Sequence, residues 1–155
     1  MAAKRARAQK EHLSTGDDVI KSRLEMCQDI LGRKEGFYWK EVEIYVQNLM
    51  DFYCGSMRSD KMLQRGLERL EYARSAPLRA ENPHELGRAL DVKSIIDNAE
   101  LVIRSSIERK ETRPIPFGFQ RSDFPEKDDE NWLAFLGIRR EEEGKFSFHK
   151  YPVDR

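Results

Sequence analysis

The sequence lacks the features of a membrane protein, a secreted protein or a strongly charged protein. No run of about 18 apolar residues occurs, and no short apolar segment follows the basic start, so neither a membrane span nor a secretory signal is predicted. Lysine plus arginine and aspartate plus glutamate each total 28, so the chain has no net charge to attract nucleic acid or anionic lipid. We expect a cytoplasmic protein with no nucleic-acid partner and no direct membrane insertion.

The residue patterns of common catalytic and cofactor sites are also absent. The two cysteines, Cys27 and Cys54, stand where helical patterns expect an apolar residue, which favours buried side chains over a disulfide. The three histidines lack metal-ligand spacing, no serine stands in a nucleophile elbow, and no glycines form the G-x-G-x-x-G loop of a dinucleotide site. We therefore predict no catalytic, metal-binding or cofactor-binding residues in this chain.

The first 16 residues differ in composition from the rest of the chain. Lys4, Arg5, Arg7 and Lys10 are interleaved with small residues, and no large apolar group follows them closely. This pattern favours a flexible basic N-terminal arm, with a nucleic-acid-binding arm as the alternative.

From residue 17 to residue 113, hydrophobic residues recur at helical spacing and predict a bundle of three to four helices, similar in class to a spectrin repeat. Asp17 or Asp18 is predicted to cap the first helix, the second runs from about Trp39 to Tyr53, and Ser59 caps the third. The residues predicted to face the core are Ile20, Leu24, Cys27, Leu31, Val42, Tyr45, Val46, Leu49, Met50, Tyr53, Met62, Leu63, Gly66, Leu67 and Leu70.

A long central helix is predicted to begin at Asn82. Asparagine is a favoured N-cap, Pro83 suits the first helical position, and Glu85 can return a hydrogen bond to the cap's own N–H. No helix breaker follows before Arg113. One wide apolar face, typical of a helix with two neighbours, is formed by Leu86, Ala89, Leu90, Val92, Ile95, Ile96, Ala99, Val102, Ile103 and Ile107.

Residues 114–155 lose the helical period and are predicted to form an irregular tail packed on the bundle within one domain. Pro114 and Pro116 mark its turns, and residues 128–132 offer a capped turn carrying a tryptophan. Alternating aromatic and polar residues predict a short β-hairpin from Leu133–Arg140 and Lys145–Tyr151. The aromatic residues expected to pack this tail down are Phe117, Phe119, Phe124 and Trp132.

Charged residues cluster where the long helix is predicted to end and the tail to turn back. Arg109, Glu111, Arg113, Arg121 and Asp123 can form bidentate ion pairs there, and cations at a helix C-terminus gain from its dipole. A structural role is favoured over a catalytic one, because no pocket is predicted beside them.

Three blocks of this sequence resemble the C-terminal helical domain of the fumarate reductase and succinate dehydrogenase flavoprotein superfamily. The first is an apolar helix, a glycine turn at Gly55, Arg58 and a further helix; the second is the asparagine-started helix of residues 82–100. The third and most specific reads R-K-E-T-R from residue 109 and R-S-D-F-P from residue 121, followed by an acidic pair and a tryptophan. The segment 144–152 is most similar to the adenylylsulfate reductase branch.

The resemblance implies an excised domain or a split subunit of a FAD-dependent oxidoreductase, in which FAD is bound by the parent protein or a partner subunit. It implies that this chain braces the flavin domain and contributes to contacts with a flavin-binding domain or subunit and with an iron–sulfur electron-transfer subunit. A stand-alone helical protein–protein interaction module is the alternative. Structural or interface roles are expected for Arg58, Arg109, Glu111, Arg113, Arg121, Asp123 and Trp132.

Overall fold

Helices dominate the computed structural model, which describes residues 16–113, 118–141 and 144–153. The mainly α-helical prediction is confirmed. The arm residues 1–15 and the predicted turn residues Pro114, Pro116 and Phe117 lie outside the described residues. The helices are α1 (Asp17–Gly32), α2 (Trp39–Tyr53), α3 (Asp60–Ser75), α4 (Pro83–Glu108) and α5 (Asp129–Trp132).

Four two-residue strands lie in the segments between the helices, and two longer strands follow the last helix. They are β1 (Phe37–Tyr38), β2 (Met57–Arg58), β3 (Leu78–Arg79), β4 (Gln120–Arg121), β5 (Ala134–Arg140) and β6 (Phe146–Pro152). Strands β1 and β3 pair in parallel, as do β2 and β4, so β4 joins the tail to the α2–α3 connection. Strands β5 and β6 pair antiparallel, which confirms the predicted hairpin.

The core lies where α2, α3 and α4 meet, and α4 also packs against α1. Gly66 of α3 allows a close approach of α2 and α4, because an added Cβ would lie 3.0 Å from Tyr53 Cβ and 3.5 Å from Ile103 Cδ1. Both cysteines are free, with Cys54 buried and Cys27 half-buried. The buried hydrophobic residues of these helices are Ile30, Val42, Val46, Leu49, Leu63, Leu70, Ala73, Ala89, Val92, Ile96, Ala99 and Ile103.

The caps of α3 and α4 were predicted correctly, whereas the cap of α1 was predicted wrongly. Ser59 accepts from the Met62 N–H and Asn82 from the Glu85 N–H, as expected. Helix α1 is instead preceded by Gly16, and no side-chain cap forms, so the prediction of an Asp17 or Asp18 cap was wrong.

Two details of α4 also differ from the prediction. The Glu85 carboxylate accepts a 2.8 Å hydrogen bond from the Glu81 N–H rather than from the N–H of the cap Asn82. The helix ends at Glu108, not at Arg113, because Arg109 turns to an extended conformation and its guanidinium donates to the backbone oxygens of Trp132 and Ala134.

The predicted core faces of two helices were too wide. Val102 of α4 is 47% exposed and Tyr45 of α2 is 37% exposed, so both lie at the edge of the bundle. In α1, Met26 and Ile30 pack against the core, whereas the predicted stripe of Ile20, Leu24 and Leu31 faces solvent. The packing direction of a helix depends on its neighbours, which the 3.6-residue period alone does not specify.

Candidate functional site

The predicted charged residues meet beyond the C-terminal end of α4, where the tail returns to the bundle. Strand β4 lies against β2 there, and α5 lies beside the residues that follow α4. We call this group the arginine cluster. Its members are Arg58, Arg109, Glu111, Arg113, Arg121, Asp123 and Asp129.

The Arg121 side chain, in β4, is buried, with 1% of its surface exposed. Its Nε and Nη2 atoms donate to the two carboxylate oxygens of Asp123 at 2.8 and 2.6 Å. Its Nη1 atom donates to the backbone oxygens of Ser106 and Arg109 at 2.5 and 3.1 Å. The guanidinium therefore satisfies carbonyl groups at the end of α4, where the helix dipole favours a positive charge.

Asp123 connects this guanidinium to a second helix end. Its Oδ2 atom accepts a 2.8 Å hydrogen bond from the Asp60 N–H, the first residue of α3. The hydrogen bonds from Arg121, with smaller contributions from backbone N–H groups, lower the pKa of Asp123 from 3.8 to about 2. One carboxylate thus joins the tail to both α3 and α4.

We expect Asp123 to make the stability of the chain acid-sensitive below about pH 4. A carboxyl group whose pKa is lower in the folded state than in the unfolded state stabilises the fold above its unfolded pKa, and that contribution is lost as the pH falls toward the folded pKa. For Asp123 this window runs from 3.8 down to about 2. Urea unfolding of the unmodified chain and of Asp123→Asn across this range checks the prediction: the gap between them should close as the pH falls, and a constant gap would contradict it.

Glu111 is the centre of the second half of the arginine cluster and is fully buried, with 0% of its surface exposed. Its Oε1 atom accepts hydrogen bonds from Arg109 Nη1 and from Arg113 Nε. Its Oε2 atom accepts from the Asp128 N–H at 3.3 Å, next to the start of α5. A buried carboxylate is tolerated here because two guanidinium groups and a backbone N–H replace its hydration.

The two arginines that hold Glu111 also bind the tail backbone. Arg109 donates to the Trp132 and Ala134 oxygens at 3.1 and 2.6 Å. Arg113 donates to the Trp132 oxygen at 3.0 Å and to Asp129 Oδ1 at 2.6 Å. These bonds fix the end of α5 and the start of the hairpin against the residues that follow α4.

The aromatic rings of the tail lie against cations. Trp132 is 6% exposed, with the Arg109 guanidinium 5.5 Å and Lys150 Nζ 3.4 Å from its ring centroid. The Arg58 guanidinium lies 5.0 Å from the Phe119 ring centroid. Such pairs add a modest attraction to the burial of the rings.

Arg58 links the α2–α3 connection to α4. Its Nε atom donates to the Gly55 oxygen at 2.7 Å, and its Nη1 atom donates to Ser106 Oγ at 2.8 Å. Sequence reasoning did not name Ser106, although a polar residue on the apolar stripe of α4, three positions after Ile103, was a usable signal. It also missed Thr112, whose hydroxyl accepts from the Arg121 N–H at 2.9 Å.

All seven residues singled out in the sequence lie in or next to this one region. Their carboxylates are paired with arginines, and the arginine donors face carboxylates, backbone oxygens or the Ser106 hydroxyl. This arrangement suits a rigid joint between the bundle and the tail. It does not suit catalysis, because a general base or nucleophile needs a group that is free to react.

The described residues contain neither a candidate metal centre nor a candidate membrane-spanning helix. No group of three or more histidine, cysteine, aspartate or glutamate side chains is arranged there to hold a metal ion. Within the same residues, no helix is both long enough and apolar enough to cross a membrane.

Comparisons with known proteins match this chain to part of larger proteins. The family model described as fumarate reductase flavoprotein C-term matches residues 44–155. The fumarate reductase flavoprotein subunit of Mycobacterium tuberculosis is 35% identical over 69 residues, which span 44% of this chain and 11% of that protein.

Solved structures extend the match to nearly the whole chain. Adenylylsulfate reductase from Archaeoglobus fulgidus superposes with a TM-score of 0.86 and 27% identity, over 95% of this chain and 26% of that one. The Mycobacterium smegmatis Sdh1 complex shares the fold with a TM-score of 0.78 and 20% identity, over 97% of this chain and 27% of that one. This chain therefore belongs to the fumarate reductase flavoprotein C-terminal family.

Proposed function

We propose that this chain is a non-catalytic C-terminal domain or split subunit of a FAD-dependent oxidoreductase of the fumarate reductase, succinate dehydrogenase or adenylylsulfate reductase type. Its role is to brace the flavin domain and to contribute to subunit contacts. The observation that carries this proposal is the TM-score of 0.86 with adenylylsulfate reductase over 95% of the chain. The chain covers 26% of the matched adenylylsulfate reductase chain, and FAD is proposed to lie in the part of the oxidoreductase outside this match.

The arginine cluster supports a bracing role rather than a chemical one. Most of its residues lie in the sequence block that resembles the family most specifically. The buried side chains of Glu111 and Arg121 form hydrogen bonds within the chain. A joint of this kind holds the tail and hairpin in one position relative to the helices. A fixed surface of this kind binds a partner at a lower entropic cost than a mobile one.

The partners proposed for this chain are a flavin-binding domain or subunit and an iron–sulfur electron-transfer subunit. One matched structure is described as a complex, which fits an assembly with more than one subunit. Action in the cytoplasm belongs to the same proposal.

The isolated chain is expected to be colourless and redox-silent. It has no glycine-rich dinucleotide loop, so nothing in the sequence supplies a backbone cradle for the FAD pyrophosphate. Absorbance spectra of the purified chain, before and after incubation with FAD and gel filtration, check this prediction. Flavin retained in a one-to-one ratio would contradict it.

Binding to the flavin-bearing part of the oxidoreductase tests the bracing role itself. The flavin-bearing part, produced separately with its cofactor, should co-elute with this chain and should release its flavin at a higher temperature when the chain is present. Ligands that bind only the folded state raise its stability in this way. If the chain instead binds other proteins and leaves the flavin-bearing part unchanged, the interaction-module alternative replaces the proposal.

A further inference from the structure

A small cavity lies between the start of α2 and the end of α3, away from the arginine cluster. Its volume is about 180 Å³, and three of its walls are the aromatic side chains of Phe37, Tyr45 and Tyr72. Glu41 is the only charged residue among the described residues that line it. Typical sites for drug-sized ligands measure roughly 300–1,000 Å³, so this cavity suits a group of only a few heavy atoms. We call it the aromatic cavity.

The aromatic walls are held in place by the fold. The Phe37 N–H donates a 2.8 Å hydrogen bond to the Pro77 oxygen, which fixes β1 to the segment that follows α3. The rings of Tyr45 and Tyr72 have centroids 6.2 Å apart and planes inclined at 60° to each other. Walls that are already in position bind a ligand at a lower entropic cost than mobile ones.

These three rings have no cation from the chain itself. Elsewhere, aromatic rings lie under arginine or lysine side chains, at distances of 3.4–5.8 Å between the cation and the ring centroid. The rings paired in this way are Trp39, Phe119, Phe124, Trp132 and Phe146. Among the described residues, no lysine or arginine forms such a pair with Phe37, Tyr45 or Tyr72. The aromatic cavity therefore has π faces available for an external cation.

The charges around the aromatic cavity also favour a cation. The Tyr38 N–H donates a 2.7 Å hydrogen bond to Glu41 Oε2, which holds this carboxylate at the first turn of α2. No cationic side chain of the described residues forms an ion pair with Glu41. Tyr72 and Ala73 belong to the last turn of α3, which ends at Ser75. The C-terminal end of a helix carries a partial negative charge, so it adds to the attraction of the carboxylate.

We propose that the aromatic cavity binds the quaternary ammonium group of a small organic cation of the choline type. A cation seated between rings 6.2 Å apart lies within about 6 Å of both centroids, the range of cation–π attraction. Its methyl groups fill apolar space, whereas a primary ammonium would lose strong hydration on entry. The site is separate from the arginine cluster and does not depend on the proposed bracing role.

The test is a titration of the chain with choline chloride, followed by NMR chemical shifts at constant ionic strength. The matched probe is 3,3-dimethyl-1-butanol, which has the shape of choline with a neutral carbon in place of the nitrogen. Choline should give saturable shifts at Phe37, Glu41, Tyr45 and Tyr72, with a dissociation constant at least about tenfold lower than that of the neutral alcohol.

Two substitutions locate the site. Tyr72→Leu removes one ring but keeps an apolar helix-forming side chain, and it should weaken choline binding about three- to tenfold. Glu41→Gln keeps an acceptor for the Tyr38 N–H, and it should weaken choline binding several-fold without changing binding of the neutral alcohol. Phe52→Leu is the control, because Phe52 is an exposed ring on α2 that does not line the aromatic cavity. Tyr72 is 63% exposed, so Tyr72→Leu should melt within about 2 °C of the unmodified chain.

The results that would overturn the proposal are equally specific. Equal affinity for choline and the neutral alcohol would show an apolar cavity without preference for a cation. Choline binding that Tyr72→Leu and Glu41→Gln both leave unchanged would place the site elsewhere. Shifts that rise linearly with choline, without saturation, would show that no site exists.

Discussion

Replacing Arg121 with alanine is expected to lower the free energy of unfolding by about 3–5 kcal/mol, as for other buried ion pairs that lose one partner. Arg121 is 1% exposed and makes hydrogen bonds to Asp123 and to the backbone oxygens of Ser106 and Arg109. Its removal leaves these acceptors without a donor and opens a cavity. Urea denaturation followed by circular dichroism measures the loss.

Arg139→Ala is the matched control for this prediction. The Arg139 side chain is 75% exposed and lies 3.7 Å from Glu141, so its ion pair is expected to contribute under about 1 kcal/mol. Arg121→Met separates charge from shape, because methionine fills similar space without donors. Equal losses for Arg121→Ala and Arg139→Ala would show that the buried pairing does not hold the tail.

Replacing Ile103 with alanine is expected to cost about 2–5 kcal/mol, because a buried cavity adds to the lost transfer free energy. Ile103 is 0% exposed, and its Cδ1 atom lies where α4 approaches Gly66 of α3. Thermal or urea unfolding measures the change. Val102→Ala is the neighbouring control, since Val102 is 47% exposed and should change stability by about 0.5 kcal/mol or less. Similar effects for the two variants would mean that α4 is not central to the core.

The structure changes the expected contributions of Trp132 and Arg121 to holding the tail on the bundle. From the sequence, Trp132 is expected to hold the tail more strongly than Arg121, on the assumption that Arg121 is exposed in the isolated domain. That assumption is wrong, because β4 places Arg121 under the end of α4 at 1% exposure. The burial depends on a strand pairing between residues 57–58 and 120–121, and no local pattern predicts a pairing over that distance.

Local chemistry, by contrast, was readable from the sequence. The bounds of α2, the caps at Ser59 and Asn82, and the capped turn before Trp132 depend on residues within a few positions of each other. The members of the arginine cluster other than Asp129 were also singled out from the sequence, partly through the family resemblance. Its geometry was not, since the burial of Glu111 requires α5 to return beside it.

Reconstitution of oxidoreductase activity tests the central claim most directly. The flavin-bearing part is assayed for reduction of an artificial electron acceptor, per bound flavin, with and without this chain. We predict at least a tenfold higher rate with the chain present, even though the chain is expected to bring no flavin of its own, because the proposed brace would use its binding energy to hold the flavin domain in its active arrangement. The same rate per flavin in both samples, together with no complex between them, would contradict the account.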